Sequence, residues 1–358
     1  MLYFVPRIFP FPLFSCPNRL ICAILFHNEV SFRMKKRVFS GARPTARQHI
    51  GNLLGAIDNY VKLQKEYDCV YCIVDIHALT TLQETSKIQG YIRDIALDWL
   101  AAGIDPQKSI VFVQSHVPEV TELNTYLGMV TPLGWLLRVP TFKEKAKAQP
   151  ENVNYGLVGY PVLMTADIVL YKANAVPVGE DQLPHVELAR EIARRFNALF
   201  GDTFPEPQAK LTDFPLIPSL NGKSKMSKSE EGSAIDIAHT AEETAARIMT
   251  AVTDPERKFR KDPGHPEICN IYTLHKYFTP AEVEEIGVEC RKAGIGCVDC
   301  KKLLAKNMNQ SLAPLREKRV AFAAKPDYIK EVLADGAARA RVIARATMQD
   351  VRQKMGLL

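Results

Sequence analysis

The chain lacks any apolar run long enough to cross a membrane. No stretch approaches the ~18 consecutive apolar residues of a membrane-spanning helix, although 47% of the 358 residues are hydrophobic. Internal repeats and low-complexity linkers are also missing, which excludes a repeat architecture. These absences describe an ordinary globular protein with ample material for a core, and no membrane partner is expected.

Cysteine and net charge are low as well. Eight cysteines in a chain of this length are too few for the disulfide framework of a small secreted domain. A cytoplasmic protein with free thiols or a metal site is therefore expected. The formal net charge is only +6, which is compatible with a nucleic-acid partner without requiring one.

Residues 1–33 lack the pattern of a signal peptide. They contain four prolines in the first 17 residues, and they have no basic start, unbroken apolar middle or small-residue cleavage site. We expect this extension to be a mis-assigned start or disordered, with translation beginning at Met34. An organelle presequence is the alternative, because acidic residues are absent before Glu29.

From Lys36 onward, strand and helix patterns alternate. The segments RVFSG, CVYCIVDIHALT and SIVFVQS read as strands, and helices are predicted at IGNLLGAIDNYVKLQKEY, residues 85–102, about 180–200 and about 241–252. Alternation of this kind predicts an α/β fold with a parallel sheet and helices on both faces. A ligand is then expected at the carboxyl ends of the strands.

The last third of the chain is predicted to be helical, because little after Pro280 has the pattern of a strand. Its final segment, DYIKEVLADGAARARVIARATMQDVRQKMG, predicts a pair of terminal helices. We expect a catalytic domain over residues 34–218, a helical domain over 219–335, and a C-terminal helix over 336–358 that packs back on the rest.

Two segments far apart carry residues suited to nucleotide chemistry. HIGN at His49–Asn52 opens a helix, where Gly51 lets a nucleotide approach the backbone and the helix N-terminus favours anions. KMSKS at Lys225–Ser229 provides two lysines and neighbouring serines that can grip a pyrophosphate leaving group. Either motif alone is weak, since the first is commonly a helix cap and the second a solvated loop. Together on an α/β background they are far more specific.

This pair resembles the HIGH and KMSKS signatures of class I aminoacyl-tRNA synthetases. Four further segments are similar to the tryptophanyl-tRNA synthetase family: DIHALT from Asp75, WLLRVPTFKEK from Trp135, YPVLMTADIVLY from Tyr160 and VPVGEDQLPHVELAREIARRFN from Val176. The resemblance runs from about Lys36 to the last residue. It implies a Rossmann-type catalytic domain followed by an α-helical anticodon-binding domain that contains a cysteine site.

The resemblance implies a tryptophan pocket in which Asp167 accepts the indole N–H. A carboxylate suits this role because indole can only donate, and a buried acceptor rejects rings that lack the donor. Met164 would form a soft wall for the ring; without the resemblance, Met164 and the pocket valines would be assigned to the core. The other residues that match the family's pocket are Phe39, Gly41, His77, Tyr160, Val176, Val178 and Gln182.

The resemblance also implies an ATP site. Three positions depart from the family pattern: Asn52 replaces the last histidine of the first signature, Arg43 stands where many members have glutamine, and Ala46 replaces a frequent glycine. None of them removes a charge that the chemistry needs. The implied catalytic residues are His49, Asn52, Lys225 and Lys228. The implied ATP-binding residues are Arg43, Pro44, Thr45, Gly51, Asn52, Gly179, Glu180, Asp181, Ile217, Lys225, Met226, Ser227, Lys228 and Ser229.

The implied reaction is the activation of L-tryptophan with ATP and Mg²⁺, followed by transfer of the tryptophanyl group to tRNA(Trp) by a cytoplasmic homodimer. Positioning and charge stabilisation suffice for catalysis, because the bound carboxylate itself attacks the α-phosphate. Three alternatives are a tyrosyl-tRNA synthetase, a small-molecule nucleotidyltransferase and a catalytically idle RNA-binding relative. The DIHALT segment argues against the first, the large helical third against the second, and the intact signature lysines against the last.

Four cysteines of the C-terminal third form a candidate metal site. Cys269, Cys290, Cys297 and Cys300 are separated by twenty, six and two residues. Four thiolates can bind either zinc or a [4Fe–4S] cluster, so the spacing does not choose between them. Coincidence is a third reading, because the C-x₂-C pair Cys69 and Cys72 lies in a predicted core strand. The segment AGIGCVDCKK resembles tryptophanyl-tRNA synthetases that carry a [4Fe–4S] cluster, and this resemblance implies such a cluster here.

Overall fold

A sheet of five parallel strands organises the chain. The computed structural model describes residues 35–211, 217–222, 225–227 and 232–358. The strands are β1 (Arg37–Ala42), β2 (Asp68–Ile73), β3 (Ser109–Val113), β4 (Ala175–Val178) and β5 (Gln208–Leu211). Their spatial order is β3-β2-β1-β4-β5, with every neighbouring pair parallel. Strands β2 and β3 are added on one side of β1, and β4 and β5 on the other. This change of side between β1 and β4 opens a crevice at the carboxyl ends of these strands. The predicted α/β parallel-sheet fold is confirmed.

Helices supply the remaining regular structure. After Leu211 the described residues contain no further strand, which confirms the prediction of a helical C-terminal part. None of the described helices is long and apolar enough to span a membrane. In chain order the helices are α1 (Ile50–Asn52), a π-helical turn (Leu53–Ile57), α2 (Asp58–Leu63), α3 (Asp75–Ala78), α4 (Ile88–Ala102), α5 (Glu119–Val130), α6 (Leu133–Leu137), α7 (Pro140–Ala148), α8 (Tyr155–Leu170), α9 (Leu183–Phe200), α10 (Ala241–Thr250), α11 (Asn270–Phe278), α12 (Val283–Arg291), α13 (Cys297–Ala323) and α14 (Pro326–Lys354).

Strand β2 shows that both faces of the sheet are covered. Cys69 and Tyr71 enter one hydrophobic core, whereas Val70 and Cys72 enter the other. All four side chains are fully buried, because successive side chains of a strand point to opposite faces and helices pack on each. The pair Cys69 and Cys72 therefore belongs to the core, as predicted.

Three strands differ from the sequence-based expectations. The predicted second strand ends at Ile73, and the DIHA segment that follows forms α3 instead. Strand β4 was not predicted, since its proline, Pro177, counts against a strand. Strand β5 was not predicted either, because it is a four-residue edge strand that is only partly buried and has no apolar run.

The predicted pair of terminal helices is wrong, because one helix, α14, runs from Pro326 to Lys354. Gly336 lies within this helix, although glycine is a poor helix former. In the structure Gly336 lies directly on β3: a Cβ added there would be 1.8 Å from the carbonyl oxygen of Val111. Glycine therefore allows the helix to approach the edge strand without interrupting it.

The domain boundaries stay predictions. Residues Lys36–Leu358 group into one compact unit, and no observation tests a division at 218/219 or 335/336. The extension of residues 1–33 lies outside the described residues.

Candidate functional site

The two signature segments lie against each other in the structure. The backbone N–H of Ile50 donates to the carbonyl of Ile235, and that of Ile237 donates to the carbonyl of Gln48, both at 2.9 Å. The chain entering the first signature therefore pairs with the chain that follows the second. This pairing brings together segments that are about 175 residues apart in the sequence.

Gly51 marks the contact between the two signatures. A Cβ added at Gly51 would lie 3.6 Å from the Cβ of Met226 and 2.9 Å from Nδ1 of His49. Glycine thus leaves the backbone open beside the buried imidazole. The described part of the second signature is Lys225–Ser227, and Met226 is held there by donating its N–H to the carbonyl of Ile217 at 2.8 Å. The predicted residues Lys228 and Ser229 lie outside the described residues.

Asn52 has a structural contact in addition to its predicted role. Its Oδ1 accepts a hydrogen bond from the backbone N–H of His49 at 3.1 Å, which fixes the chain at the entrance to α1. The His49 side chain itself is buried, with 4% of its surface exposed. An asparagine at the last position of the signature therefore holds the histidine in place.

Arg43, Pro44 and Thr45 follow directly after β1, at the carboxyl edge of the sheet. The Arg43 guanidinium donates to Oγ1 of Thr81, while its buried Nε has no hydrogen-bond partner in the described part of the chain. Burial lowers the pKa of Arg43. A partly desolvated guanidinium with an unused donor suits a phosphate group, which it can bind by charge-assisted hydrogen bonds.

Asp167 is the buried carboxylate of the predicted tryptophan pocket. It lies on α8 with 1% of its surface exposed. Nε2 of His77 lies 2.9 Å from its Oδ2, and Nε2 of Gln114 donates to Oδ1 at 2.9 Å and to Oδ2 at 2.8 Å. A carboxylate offers about four acceptor positions. These three contacts leave capacity for one more donor.

Gln114 is a residue of the candidate site that the sequence patterns did not identify. Its Oε1 accepts from the backbone N–H of Ile76 at 3.1 Å and of His77 at 3.2 Å. One buried side chain thus ties the segment after β2 to Asp167. Its position could have indicated this role, since a polar residue directly after a parallel strand lies at the ligand edge of the sheet.

Tyr160 is held by two further residues that were not predicted. Its Oη lies 2.5 Å from Oγ1 of Thr141 on α7 and 2.8 Å from Nε2 of His185 on α9. Burial raises the pKa of Tyr160. The phenol is therefore a neutral group fixed by its neighbours, and Thr141 lies within the WLLRVPTFKEK segment.

The other predicted pocket residues are divided between the sheet and its carboxyl edge. Phe39 is buried and stacks on Tyr171 at a centroid distance of 5.7 Å, so it packs in the core. A Cβ at Gly41 would be 2.9 Å from Cγ1 of Val74, so glycine keeps the ends of β1 and β2 close together.

Met164 is only partly buried, on α8. Val176 and Val178 lie in β4, and Gly179, Glu180, Asp181 and Gln182 follow it directly.

The four cysteines of the C-terminal part line one cavity. Cys269 precedes α11, Cys290 lies near the end of α12, and Cys297 and Cys300 lie on the first turn of α13. Burial raises the pKa of the Cys300 thiol to about 12, and it also raises the pKa of Cys269 and Cys290. The described residues contain no group of three or more histidine, cysteine or carboxylate side chains that could hold a metal ion as they stand. The structure thus brings the predicted cysteines to one cavity without arranging them as a set of ligands for a metal ion.

Two residues that the sequence did not single out contact these thiols. Nη1 of Arg257 lies 3.9 Å from Sγ of both Cys290 and Cys297. Nε2 of the fully buried His275 lies 3.2 Å from the carbonyl oxygen and 3.3 Å from Sγ of Cys300. A carbonyl can only accept, so Nε2 carries the proton, and Nδ1 accepts from Oγ1 of Thr279 at 2.9 Å.

Comparison with known proteins gives consistent similarities. The model of the class I tRNA synthetases (W and Y) matches residues 33–313, a range that spans the sheet, both signatures and the four cysteines. The chain is 46% identical to a tryptophan–tRNA ligase of Thermotoga maritima and 47% identical to one of Deinococcus radiodurans, each match covering 90% of this chain and 99% of the relative. It also resembles the crystal structure of tryptophanyl-tRNA synthetase from Campylobacter jejuni complexed with ADP and tryptophan. That match has a TM-score of 0.81 and 37% identity, and it covers 89% of this chain and 99% of the other.

Proposed function

The chain belongs to the tryptophan–tRNA ligase family of class I aminoacyl-tRNA synthetases, and from this premise we propose the roles of its described residues. The enzyme activates L-tryptophan with ATP and transfers it to tRNA(Trp). The observation that carries the assignment of the amino-acid site is the buried Asp167 carboxylate, which is held by two side chains and keeps capacity for one more donor.

Asp167 is proposed to accept the indole N–H of tryptophan. His77 and Gln114 hold the carboxylate in one orientation, so little rearrangement is needed on binding. Met164 contributes a polarizable wall for the ring, and Tyr160 is proposed to bound the pocket on the same helix. Met164 packs against the core and is only partly buried, so part of its side chain remains accessible to a ligand.

The first chemical step is attack by a carboxylate oxygen of tryptophan on the α-phosphorus of ATP. The bond from that phosphorus to the bridging oxygen breaks, and pyrophosphate leaves; a Mg²⁺ ion bound together with ATP would neutralise part of its charge. His49 and Lys225 are proposed to stabilise the negative charge that develops, together with Lys228 from outside the described residues. The packing of Gly51 on Met226 supports a joint site for the two signatures.

In the second step a hydroxyl of the terminal adenosine of the tRNA attacks the carbonyl carbon of the adenylate, and AMP leaves. Neither step needs a protein nucleophile. Arg43, with a desolvated guanidinium and an unused buried Nε, is proposed to bind a phosphate of ATP. The three residues after β4, Gly179–Asp181, are proposed to bind the nucleotide from the other side of the crevice.

The C-terminal helical part is proposed to bind the tRNA anticodon and to hold a [4Fe–4S] cluster on Cys269, Cys290, Cys297 and Cys300. Four thiols around one cavity support this proposal, and Gly264 leaves room for the Cys290 sulfur, since a Cβ there would lie 2.5 Å from it. When bound, the cluster would cross-link three segments of the chain through its thiolate ligands. Zinc is the alternative. A zinc ion would bond each sulfur at about 2.3 Å, and the present arrangement of the thiols does not choose between zinc and the cluster.

A homodimer is proposed from exposed apolar side chains in one stretch of the chain. Met129 and Tyr155 are 77% and 82% exposed. Clusters of exposed apolar side chains commonly mark interfaces between proteins. The other members of this apolar surface are Leu133, Leu137 and Val153. Met129 lies on α5, Leu133 and Leu137 on α6, Val153 between α7 and α8, and Tyr155 at the start of α8. Helices α5, α6 and α7 each pack on α8. We further propose that the enzyme acts in the cytoplasm.

Pyrophosphate exchange with tryptophan and with tyrosine tests the proposal in one assay. ATP-dependent exchange should require tryptophan and be absent with tyrosine. Exchange with tyrosine would favour a tyrosyl-tRNA synthetase instead. No exchange with either amino acid, in protein that still binds tRNA, would indicate a catalytically idle relative.

A further inference from the structure

An exposed phenylalanine lies in a basic segment beside the cysteine cavity. The segment Arg257–Asp262 connects α10 to α11, and Phe259 within it is 66% exposed. Its neighbours Lys258, Arg260 and Lys261 are exposed as well. A single exposed phenylalanine is common on protein surfaces, so its surroundings decide whether it has a function.

The backbone around Phe259 is held from two sides. Its N–H donates to Oδ2 of Asp262 at 2.8 Å, and its carbonyl accepts from the N–H of Asp262 at 3.1 Å. The Arg257 guanidinium, which contacts the thiols, donates to the carbonyl of Arg260 at 2.8 Å. The Arg260 guanidinium in turn donates to the carbonyls of residues 293 and 294 at 2.5 and 3.1 Å. An aromatic ring on a braced backbone loses little entropy when a ligand stacks on it.

The charges around Phe259 favour an anion. The neighbouring acidic side chains already have partners, since Glu256 lies 3.6 Å from Nδ1 of His265 and Asp262 accepts from the N–H of Phe259. Within residues 232–358 and the other described ranges, Lys258 and Lys261 form no ion pair. The combination of a rigid aromatic face and uncompensated lysines matches a nucleic-acid strand with unstacked bases.

We propose that Phe259 stacks on an unpaired base of the tRNA anticodon loop, with Lys258 and Lys261 contacting the flanking phosphates. This proposal rests on the proposed role of the C-terminal part in anticodon binding. An acidic protein surface would be attracted by the lysines alone and would gain little from the ring. A base gains from both, because its face stacks on the aromatic ring while the adjacent phosphates neutralise the lysines.

The test uses the full-length protein and an RNA hairpin with the anticodon stem and loop of tRNA(Trp), with binding measured by fluorescence anisotropy. Phe259→Ala should weaken binding roughly 5- to 150-fold, the range of one base–aromatic stack, while Phe259→Trp stays within about two-fold of wild type, because the aromatic face is kept. Val342→Ala, a change at a 71% exposed residue on α14, is the matched control and should bind normally.

A second measurement distinguishes stacking from a general loss of structure. Hairpins that each lack a different loop base identify the stacked base. At one position, removal of the base and Phe259→Ala should each weaken binding by the same factor, and the two changes together should weaken it no further. Unchanged hairpin binding by Phe259→Ala, or an equal additive loss at every position, would overturn the proposal. Tryptophan-dependent pyrophosphate exchange should be normal in the variant. If the wild type lacked that exchange, the proposed function would fail separately.

Discussion

Asp167 is a single residue that we propose to serve both the fold and the reaction. Its carboxylate is almost fully buried, and a buried charge is costly unless hydrogen bonds satisfy it. His77 and Gln114 provide those bonds from the ends of two strands. The same bonds orient the remaining acceptor position, so the proposed specificity for indole would follow from how the buried carboxylate is stabilised.

Replacing Asp167 should abolish most tryptophan activation. In Asp167→Ala the indole N–H has no buried acceptor, which costs about 1.5–3 kcal/mol for a bond to a charged group, or roughly 10- to 150-fold in kcat/KM. Pyrophosphate exchange measures the loss, and circular dichroism should show that the fold is kept. Wild-type exchange kinetics in this variant would contradict the assignment of the pocket.

Gln114→Met should impair tryptophan binding more than ATP binding. The change keeps the side-chain volume but removes the amide that holds Asp167, so we expect KM for tryptophan to rise about 10-fold, the effect of losing about 1.4 kcal/mol. Gln107→Met, at an exposed glutamine before β3, is the control and should behave as wild type. An equal increase of KM for ATP would argue that Gln114 only stabilises the fold.

At the scale of elements, α14 depends on a close approach to β3. Edge strands expose unpaired backbone groups and need cover, and α14 packs against β3 where Gly336 has no side chain. The guanidinium of Arg339, one turn further, donates to the carbonyls of Pro106 and Ser109 at 2.7 and 3.0 Å. The helix thus covers the end of the sheet with both backbone and side-chain contacts.

Gly336→Ala should destabilise the protein by about 1–3 kcal/mol or more, because the added methyl group meets backbone atoms of β3 that cannot rotate away. Urea denaturation measures the free energy of unfolding. Gly90→Ala in α4 is the matched control. A Cβ there has no neighbour within 4 Å, so the change should stabilise the protein by about 0.5–1 kcal/mol. A neutral effect at both positions would show that α14 can shift freely on the sheet.

The start of α13 provides two of the four thiols. Cys297 and Cys300 are three residues apart on a helix, so their side chains lie on one face. In Cys297→Ser we expect iron to be lost and tRNA charging to fall, with tryptophan-dependent pyrophosphate exchange nearly intact, because the cysteines lie outside the adenylate site. Anaerobically purified wild type should contain about four irons per chain.

The control for this experiment is Cys69→Ala in β2, a buried core cysteine whose replacement should leave the iron content unchanged. Colourless wild-type protein with one zinc per chain would contradict the cluster and support the alternative. Equal losses of exchange and charging in Cys297→Ser would indicate a general structural role for the thiol.

At the scale of the whole molecule, the proposed homodimer can be tested directly. Light scattering at micromolar concentration should give the mass of a dimer for the wild type. The double variant Met129→Glu with Leu133→Glu should be monomeric, since it places two charges within the exposed apolar surface at residues that are 77% and 60% exposed. Val342→Glu, at an equally exposed residue elsewhere, should stay dimeric. A monomeric wild type would refute the homodimer.

Much of the site could be predicted from the sequence, because the informative residues are local patterns. His49 to Asn52 and Lys225 to Ser229 are contiguous motifs, and the long strands β1 to β3 have clear apolar runs. These patterns depend on neighbouring residues only, so they are visible before folding. The parallel sheet followed from the strand patterns, and the family followed from the resemblance of these motifs and of four further segments; binding of a ligand at the carboxyl edge of the sheet stays a prediction.

Other features depend on contacts between distant segments, and only the tertiary structure decided them. Gln114 joined the candidate site through hydrogen bonds to α3 and α8, and Gly336 proved to be the position at which α14 lies directly on β3. His275 and Arg257 were recognised only beside the cysteines that they contact. The physical reason is that a side chain's function is set by the partners that folding brings to it, and residues far apart in the chain leave no periodic trace in the sequence.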